Sequence, residues 1–293
     1  MRGEAEILRY TLQFNVYIWF NWRHSRTRAN LCFARFLPAT FSQFDFEACP
    51  MFNRNAFERD KRRQAAAQGQ DAQLKSLAHD LNVASYQYDY GYQWTWLGMP
   101  IIQLPPDILA VQEILWEARP TLVIETGVAW GGSIVFYASI LQLIGEGRVV
   151  GIDSVLPDEN RREILKYPFS HRITLLNGSS IADETLAAVR DLVRPDDRVM
   201  VMLDSNHTHD HVLAELRRYA PLVSKDQYLV VSDTCVEYFP DQVPRKRPWG
   251  PGANPLTALR AYLAETDRFA VDEHIDNKLL LTYTPHGYLR CVK

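Results

Sequence analysis

Residues 121–145 read TLVIETGVAWGGSIVFYASILQLIG and join an apolar run, a glycine-rich turn and a second apolar segment. The run at 121–126 is apolar without alternation, which is typical of a strand covered on both faces of a parallel sheet. Gly127 and Gly131 allow a tight turn, and the segment that follows up to Gly145 is predicted to be a helix. This strand–turn–helix unit predicts an α/β domain with a ligand site at the carboxyl end of the strand.

The same alternation of strands and helices continues through the rest of the chain. Further strands are predicted at 148–153, 172–178, 198–205 and 227–234. Helices are predicted between them and after them, at 180–193, 209–223 and 254–266. Residues 269–274 and 278–285 are predicted to pair as an edge hairpin. We therefore expect a doubly wound, mostly parallel sheet over residues 95–293, preceded by a basic, aromatic-rich and mostly helical extension over residues 1–94.

The composition is that of an ordinary globular protein. Of the 293 residues 47% are hydrophobic and 23% charged, and the net charge of −3 gives no sign of a nucleic-acid binder, so we expect no nucleic-acid partner. The four cysteines form no CxxC pair and the chain shows no secretion signal. They are expected to be reduced thiols in a cytoplasmic protein.

The extension is basic in a chain that is acidic overall. Residues 1–63 hold ten arginines and one lysine against six acidic side chains. The aromatic stretch at 10–22 is interrupted by polar residues and is shorter than the roughly 20 apolar residues of a membrane-spanning helix. Two interpretations remain open: peripheral contact of residues 1–36 with the inner membrane face, or an arm that packs in the core or in a homo-oligomer.

Acidic side chains at two predicted strand ends point to a nucleoside ligand. Glu125 precedes Gly127 by two residues in a pattern ExGxxxG, which suits a donor with an α-ammonium such as S-adenosylmethionine. Asp153 ends the next strand, where a carboxylate can accept both hydroxyls of a ribose. A dinucleotide fingerprint could only be read as Gly127-x-Ala129-x-x-Gly132, which is a poor match. A nicotinamide enzyme, or glycines that serve only helix–strand packing, remain alternatives.

A second pair of acids suggests a cation. Asp204 and Asp233 end adjacent strands, so their carboxylates can face each other across about 5 Å. Such a pair is costly unless a cation or protons compensate it, and oxygen ligands suit Mg²⁺. His207 follows in the turn and is a candidate base, whereas His209 and His211 are expected to face solvent at the start of a helix. A transition-metal oxygenase would need a His-x-Asp or His-x-Glu pattern and is the competing interpretation.

Residues 239–255 form a long loop rich in proline, glycine, basic and aromatic residues. Such a loop is predicted to be a lid or a binding element. Trp249 with Arg245, Lys246 and Arg247 could close over a sugar, a lactone or an anionic substrate. A plain surface loop is the alternative.

Several segments resemble the cephalosporin hydroxylase family, which includes rhamnosyl O-methyltransferases and is related to macrolide sugar O-methyltransferases. These segments are PIIQLPPDILAVQEILWEARPTLVIETGVAWGGS (100–133), LDSNHTHDHVLAELRRYAPLV (203–223), VVSDT (230–234), RPWGPGANPLTALRAYL (247–263) and LLLTYTPHGYLR (279–290). The resemblance covers about residues 95–293. It implies a class I methyltransferase fold with a Rossmann-like, seven-stranded sheet, S-adenosylmethionine as donor and Mg²⁺ beside it.

The resemblance also assigns site residues. In the related macrolide enzymes the metal is held by an Asp at one strand end and by a consecutive Glu-Asp pair at the next strand end. A His three residues after the first Asp is the base. Mapped here, the metal positions are Asp204, Ser232 and Asp233, and the catalytic pair is His207 with Asp204. Ser232 stands where Glu would be, so the metal would lose a charged ligand. The donor site would comprise Glu125, Gly127, Ala129, Gly131, Ser133, Asp153, Ser179, Ser180 and Asp204.

Together these features predict an Mg²⁺-assisted, S-adenosylmethionine-dependent O-methyltransferase. Its acceptor would be a hydroxyl of a sugar or polyol in a natural product or cell-surface glycan. Ser232 keeps a second hypothesis open, a donor-binding accessory subunit of a hydroxylase or methoxylation system with little activity of its own. Because relatives in this family are often oligomeric, a homo-oligomer is expected.

Overall fold

A seven-stranded sheet forms the centre of the protein in the computed structural model, which describes residues 53–239 and 246–293. A two-stranded hairpin precedes it, formed by β1 (Trp94–Trp96) and β2 (Met99–Ile101). The strands of the large sheet are β3 (Leu122–Thr126), β4 (Arg148–Asp153), β5 (Ile173–Asn177), β6 (Val199–Leu203), β7 (Tyr228–Val231), β8 (Phe269–Val271) and β9 (Tyr288–Cys291). Their spatial order is β5-β4-β3-β6-β7-β9-β8.

The order of the strands determines where a ligand can bind. β9 runs antiparallel to both of its neighbours, and the other pairs in this sheet are parallel. The chain crosses over between β3 and β6, which are neighbours in space, and this is the switch point at which open α/β sheets bind ligands. Thr126 pairs with Leu203, so Gly127 and Asp204 emerge side by side. The doubly wound, mostly parallel fold predicted from the sequence is confirmed.

Helices cover both faces of the sheet. They are α1 (Arg54–Gln70), α2 (Ala72–Tyr86), α3 (Pro105–Ala118), α4 (Gly132–Ile144), α5 (Asp158–Ile164), α6 (Asp183–Leu192), α7 (His209–Tyr219), α8 (Pro255–Glu265) and α9 (Glu273–Lys278). α3 and α4 pack with Val123 and Met200 in one apolar cluster, while α6, α7 and α8 pack with Ile124 and Val201 in another. Every residue of β3 and β6 is buried, because consecutive side chains enter opposite cores. Burial on both faces explains why apolar and polar residues do not alternate in these two strands.

The predicted edge hairpin is partly wrong. β8 does form at 269–271, but its partner is β9 at 288–291 and not residues 278–285. The backbone of the latter segment bonds to side chains instead of to a strand. Tyr283 N–H donates to Asp107 at 2.9 Å, and the Thr282 carbonyl accepts from Asn82 at 2.9 Å. A segment whose backbone groups are used in this way cannot form a regular ladder.

The described part of the N-terminal region is helical. Residues 53–94 contain α1 and α2, whereas residues 1–52 lie outside the described part of the chain. The predictions of a membrane contact and of an oligomer arm fall largely on those residues, and the domain boundary near residue 95 stays a prediction. Among the described helices, none combines the length and apolarity that crossing a membrane requires.

An ion pair at the amino ends of the strands gives a test of stability. Arg148 at the start of β4 donates to both oxygens of Asp197, at 2.8 and 2.7 Å, and the Asp197 side chain is only 4% exposed. Burial by itself would raise the pKa of Asp197, but the bonds from Arg148, the Arg194 N–H and Thr121 lower it to about 2. This pair therefore stabilises the fold while the carboxylate is charged.

We expect Asp197→Asn to lower the free energy of unfolding at pH 7 by about 2 kcal/mol. The pKa of Asp197 is lower in the folded protein than its unfolded value of about 3.9. The difference in free energy of unfolding between wild type and Asp197→Asn should therefore be complete above about pH 4 and shrink as pH falls towards 2. Urea denaturation across this range measures it. Asp226→Asn is the matched control, since its pair with Arg290 is exposed and should contribute little. A difference independent of pH would contradict the prediction.

Candidate active site

Two cavities open at the carboxyl ends of the strands, on either side of the first glycine turn. Each has a volume of about 310 Å³. Both are lined by Gly127 and Ala129 of the turn, by Asp204 and Ser205 after β6, and by Trp249. The two cavities therefore meet at the switch point, where two bound molecules can come into contact.

The glycine turn is shaped by a close approach of two strand ends. Gly127 has a φ of +92°, and a Cβ there would lie 2.0 Å from the carbonyl oxygen of Asp204. Only glycine fits both the backbone angle and the space. Gly131 has a φ of +91° and caps α4, so the helix begins directly beside the cavities. The predicted tight turn is confirmed, and it brings the ends of β3 and β6 into direct contact.

Glu125 lies beneath this turn. It is fully buried, and its two oxygens accept from Ser133 Oγ at 2.8 Å and from the Tyr137 hydroxyl at 2.9 Å. Burial raises the pKa of Glu125 well above its usual range. Both oxygens are thus engaged with α4, and Ser133 itself lines the first cavity. The carboxylate ties the strand to the helix that the turn connects.

Asp153 braces the turn from the end of β4. Its Oδ2 accepts from the backbone N–H groups of Val128 and Ala129, both at 2.9 Å, and its Oδ1 accepts from Val155 N–H at 2.9 Å. The carboxylate also lines the second cavity, together with Ser179 and Ser180 after β5. The structure therefore places Asp153, Ser179 and Ser180 around the second cavity, whereas Glu125 is fully buried and lines neither cavity.

The expectation that His209 and His211 face solvent is wrong. The His211 side chain is 17% exposed, lines the second cavity and contacts Ser180 Oγ at 3.0 Å through Nε2. The same nitrogen lies 3.5 Å from Glu215, which is fully buried. His209 Nδ1 contacts Thr257 Oγ1 of α8 at 2.8 Å. The signal for His211 was present in the sequence, since positions 211 and 215 lie on one face of the predicted helix.

Asp204, His207 and Asp233 converge at the base of the first cavity. His207 Nδ1 lies 2.8 Å from Asp233 Oδ2, and Nε2 lies 3.6 Å from Asp204 Oδ1. One ligand atom from each residue can be chosen so that all three lie within 4.8 Å of one another. Asp233 has a φ of 56°, a left-handed conformation that Asp tolerates and that here places its carboxylate beside His207. The predicted convergence of these residues is found.

The two carboxylates and the ring shift each other's pKa. Burial disfavours the charged ring, but the charges and hydrogen bonds of Asp233 and Asp204 raise the pKa of His207 to about 10. Burial, opposed by the hydrogen bond to His207, raises the pKa of Asp204 to about 6. Without a metal ion, an imidazolium therefore supplies the positive charge between the two acids.

The donor set fits a hard cation. Two partly buried carboxylates from neighbouring strand ends border an open cavity and leave positions for water and for substrate oxygens, as Mg²⁺ requires. Ser232 lines a small adjoining cavity that it shares with Asp204, Asp233 and Asp107. Asp107 is buried and accepts from the Tyr288 hydroxyl at 2.8 Å. Burial raises its pKa to about 6. Ser232 therefore borders only a small cavity, which it shares with a buried acid.

Aromatic side chains line much of the first cavity. These are Tyr86, Tyr92, Trp130, Phe239, Trp249 and Tyr283. The Trp249 ring lies 4.8 Å from the His207 ring, and Arg247 lies 5.3 Å above Trp249. Trp249 and Arg247 thus border the site as predicted for the 239–255 loop, while residues 240–245, with Arg245, lie outside the described part. The sequence did not identify Tyr86, Tyr92 or Trp130 as site residues.

Comparison with known proteins gives a family match and close relatives. The sequence profile of the rhamnosyl O-methyltransferase/CmcI family matches residues 88–292. A rhamnosyl O-methyltransferase of Mycobacterium tuberculosis (strain ATCC 25618 / H37Rv) is 33% identical over 202 residues, 67% of this chain and 77% of that protein. A rhamnosyl O-methyltransferase of Mycobacterium leprae (strain TN) is 30% identical over 211 residues, 70% of this chain and 87% of that protein.

A solved structure shares the fold. The apo-structure of a CmcI variant matches with a TM-score of 0.50 and 20% identity, over 69% of this chain and 77% of that chain. A CmcI structure with Mg and SAM has a TM-score of 0.49 and 20% identity, over 69% and 78% of the two chains. At 20% identity the likeness to the apo-structure shows a shared fold and nothing more.

The glycine turn can be tested by comparing two glycines with the same backbone angle. Gly127→Ala should destabilise the protein and shift Asp204, because the new Cβ would meet the Asp204 carbonyl. Gly98→Ala is the matched control, because Gly98 has a φ of +90° and a Cβ there would meet no atom within 4 Å. This substitution should lower the free energy of unfolding only by the cost of the left-handed backbone, roughly 1 kcal/mol. Thermal and urea denaturation measure both. Equal losses in the two variants would show that the contact contributes nothing.

Proposed function

Because this chain belongs to the rhamnosyl O-methyltransferase/CmcI family, we propose that it transfers a methyl group from S-adenosylmethionine to a hydroxyl of a sugar or related polyol, with Mg²⁺ held by Asp204 and Asp233. The observation that carries this proposal is the cluster of Asp204, His207 and Asp233 where the two cavities meet. A donor in one cavity and an acceptor in the other would bring the methyl group and the hydroxyl together at this cluster.

The second cavity suits the nucleoside of the donor. Asp153, Ser179 and Ser180 border it with carboxylate, hydroxyl and amide groups, and His211 lies on its wall. The donor's methionine portion would then extend past Gly127 and Ala129, which line both cavities. Because the glycine turn leaves no side chain at position 127, a ligand can lie against the backbone there.

The first cavity suits the acceptor, with His207 as the base. Bound Mg²⁺ would neutralise the carboxylates of Asp204 and Asp233 and lower the pKa of a neighbouring hydroxyl. The charges of Asp233 and Asp204 raise the pKa of His207, so engaging them with the cation would lower it. The neutral ring could then accept the hydroxyl proton. As the oxygen attacks, its bond to the methyl carbon forms while the sulfur–methyl bond breaks. The Trp249 ring packs against the His207 ring, with the two centroids 4.8 Å apart.

The relatives support an enzyme and not an accessory subunit. Proteins that are 30% and 33% identical to this chain are named rhamnosyl O-methyltransferases. Ser232, which raised the alternative, removes one charged ligand, but Asp204 and Asp233 remain together in the structure. The accessory-subunit hypothesis is therefore not favoured.

The acceptor is a small molecule or a glycan, and the finer partner predictions stand as proposals. A homo-oligomer and a peripheral contact of residues 1–36 with the inner membrane face rest on the basic, aromatic N-terminal sequence. A cytoplasmic location rests on the four scattered cysteines, which are expected to be reduced thiols. Size-exclusion chromatography with light scattering, and sedimentation with anionic vesicles, test the first two.

The base assignment predicts the effect of removing His207. We expect His207→Gln to lower kcat for methyl transfer by about 10²–10⁴-fold while the affinity for S-adenosylmethionine changes little, because the proton acceptor is lost but the donor cavity is intact. Turnover of S-adenosylmethionine and calorimetric titration measure the two. His209→Gln is the matched control, since its contact is with α8. Near wild-type kcat in His207→Gln would exclude His207 as the base.

The cation proposal predicts opposite effects at adjacent positions. Asp233→Asn should weaken Mg²⁺ binding at least roughly tenfold, whereas Ser232→Glu should strengthen it by adding a carboxylate beside the cluster. Isothermal titration with Mg²⁺ alone gives both values without relying on turnover, and excess chelator should abolish methyl transfer by wild type. Undiminished activity in chelator would exclude a metal role.

A further inference from the structure

One wall of the first cavity comes from residues that precede the sheet. Tyr86 is the last residue of α2, and Tyr92 lies in the short 3₁₀ turn Tyr90–Tyr92 that follows it. Both line the cavity that holds Asp204, His207 and Asp233. Residues 1–94 are predicted from the sequence to lie outside the methyltransferase domain, yet these two side chains line the same cavity as His207.

This wall is fixed to the domain by specific contacts. Asn82 Nδ2 on α2 donates to the Thr282 carbonyl at 2.9 Å, and Gln68 Nε2 on α1 donates to the Asn277 carbonyl at 3.1 Å. The 3₁₀ turn packs so closely that a Cβ on Gly91 would lie 2.5 Å from the Tyr283 ring. These bonds connect α1 to α9 and α2 to the segment that follows α9, so the wall has a defined position.

The rings of the wall pack against aromatic residues of the domain. Tyr86 meets Phe239 edge to face, with ring centroids 5.4 Å apart. Tyr92 is 41% exposed, so a large part of its surface remains accessible beside the cavity. Burial, followed by the charge of Asp233, raises the pKa of Tyr86, so its phenol stays neutral at physiological pH. The wall is thus neutral and aromatic, while the charged groups of the cavity lie at its base and near Trp249.

This division of the cavity matches the two sides of a pyranose ring. A sugar presents axial C–H groups on a face, which pack favourably on an aromatic ring, and presents hydroxyls at its edges, which suit carboxylates and a base. Resting on the proposed function, we propose that Tyr86 and Tyr92 form an acceptor subsite that binds the C–H face of a neutral pyranose and directs one hydroxyl towards His207. In this arrangement the N-terminal helices determine acceptor specificity, and the glycine turn determines donor binding.

The test is direct sugar binding by the full chain, measured by saturation-transfer NMR with methyl α-L-rhamnopyranoside. Wild type should transfer saturation most strongly to ring C–H protons. Tyr86→Ala and Tyr92→Ala should each raise the sugar Kd roughly tenfold, whereas Tyr86→Phe and Tyr92→Phe, which keep the ring, should change it little. Tyr88→Ala is the matched control, because Tyr88 lies between α2 and the 3₁₀ turn, is 70% exposed and does not line the cavity.

Titration with S-adenosylmethionine and methyl-transfer assays on the same variants separate this inference from the proposed function. We expect the alanine variants to keep the donor affinity and to lose acceptor affinity, seen as a rise in KM with kcat less affected. Unchanged sugar binding in the alanine variants, or no sugar binding by wild type, overturns the subsite. Absence of donor binding in wild type would instead overturn the proposed function. Circular dichroism and denaturation confirm that each variant is folded.

Discussion

Asp204 and Asp233 bring two negative charges to neighbouring strand ends, and the site is organised by the need to compensate them. His207 lies between them, and the charges of both acids raise the pKa of its ring to about 10. A divalent cation would compete for the same carboxylates, so cation binding and deprotonation of His207 are linked. The ring would then be neutral, and able to accept a proton, only when the cation is bound, so proton transfer would be tied to the loaded site.

The same sheet edge fixes the geometry of both ligands. Because β3 and β6 are neighbours at the crossover, the glycine turn after β3 touches the backbone of Asp204 after β6. Asp153 holds the turn from the other side through two backbone N–H groups. A shift in the turn would therefore move Asp204, the proposed cation ligand, as well as the proposed donor cavity. The buried core of β3 and β6 provides the rigidity that such coupling requires.

The sequence was sufficient to predict features that depend on local pattern and strand order. Continuous apolar runs identified β3 and β6, and strand ends placed Asp204 near Asp233. Features that depend on tertiary docking were not predictable in this way. Tyr86 reaches the cavity because Asn82 bonds to Thr282, 200 positions away in the chain. Residues 278–285 looked like a strand by composition, but Asp107 and Asn82 take their backbone groups.

The position of β9 has a consequence for how the protein is made. This strand is the last in chain order, yet it is inserted between β7 and β8 and joins them. During translation β7 and β8 emerge before β9, and these two strands do not pair with each other. One edge of β7 is therefore unpaired until Tyr288–Cys291 has emerged. A ribosome that pauses late would hold a nascent chain with an open sheet edge, in which chaperone binding and aggregation compete with completion of the fold.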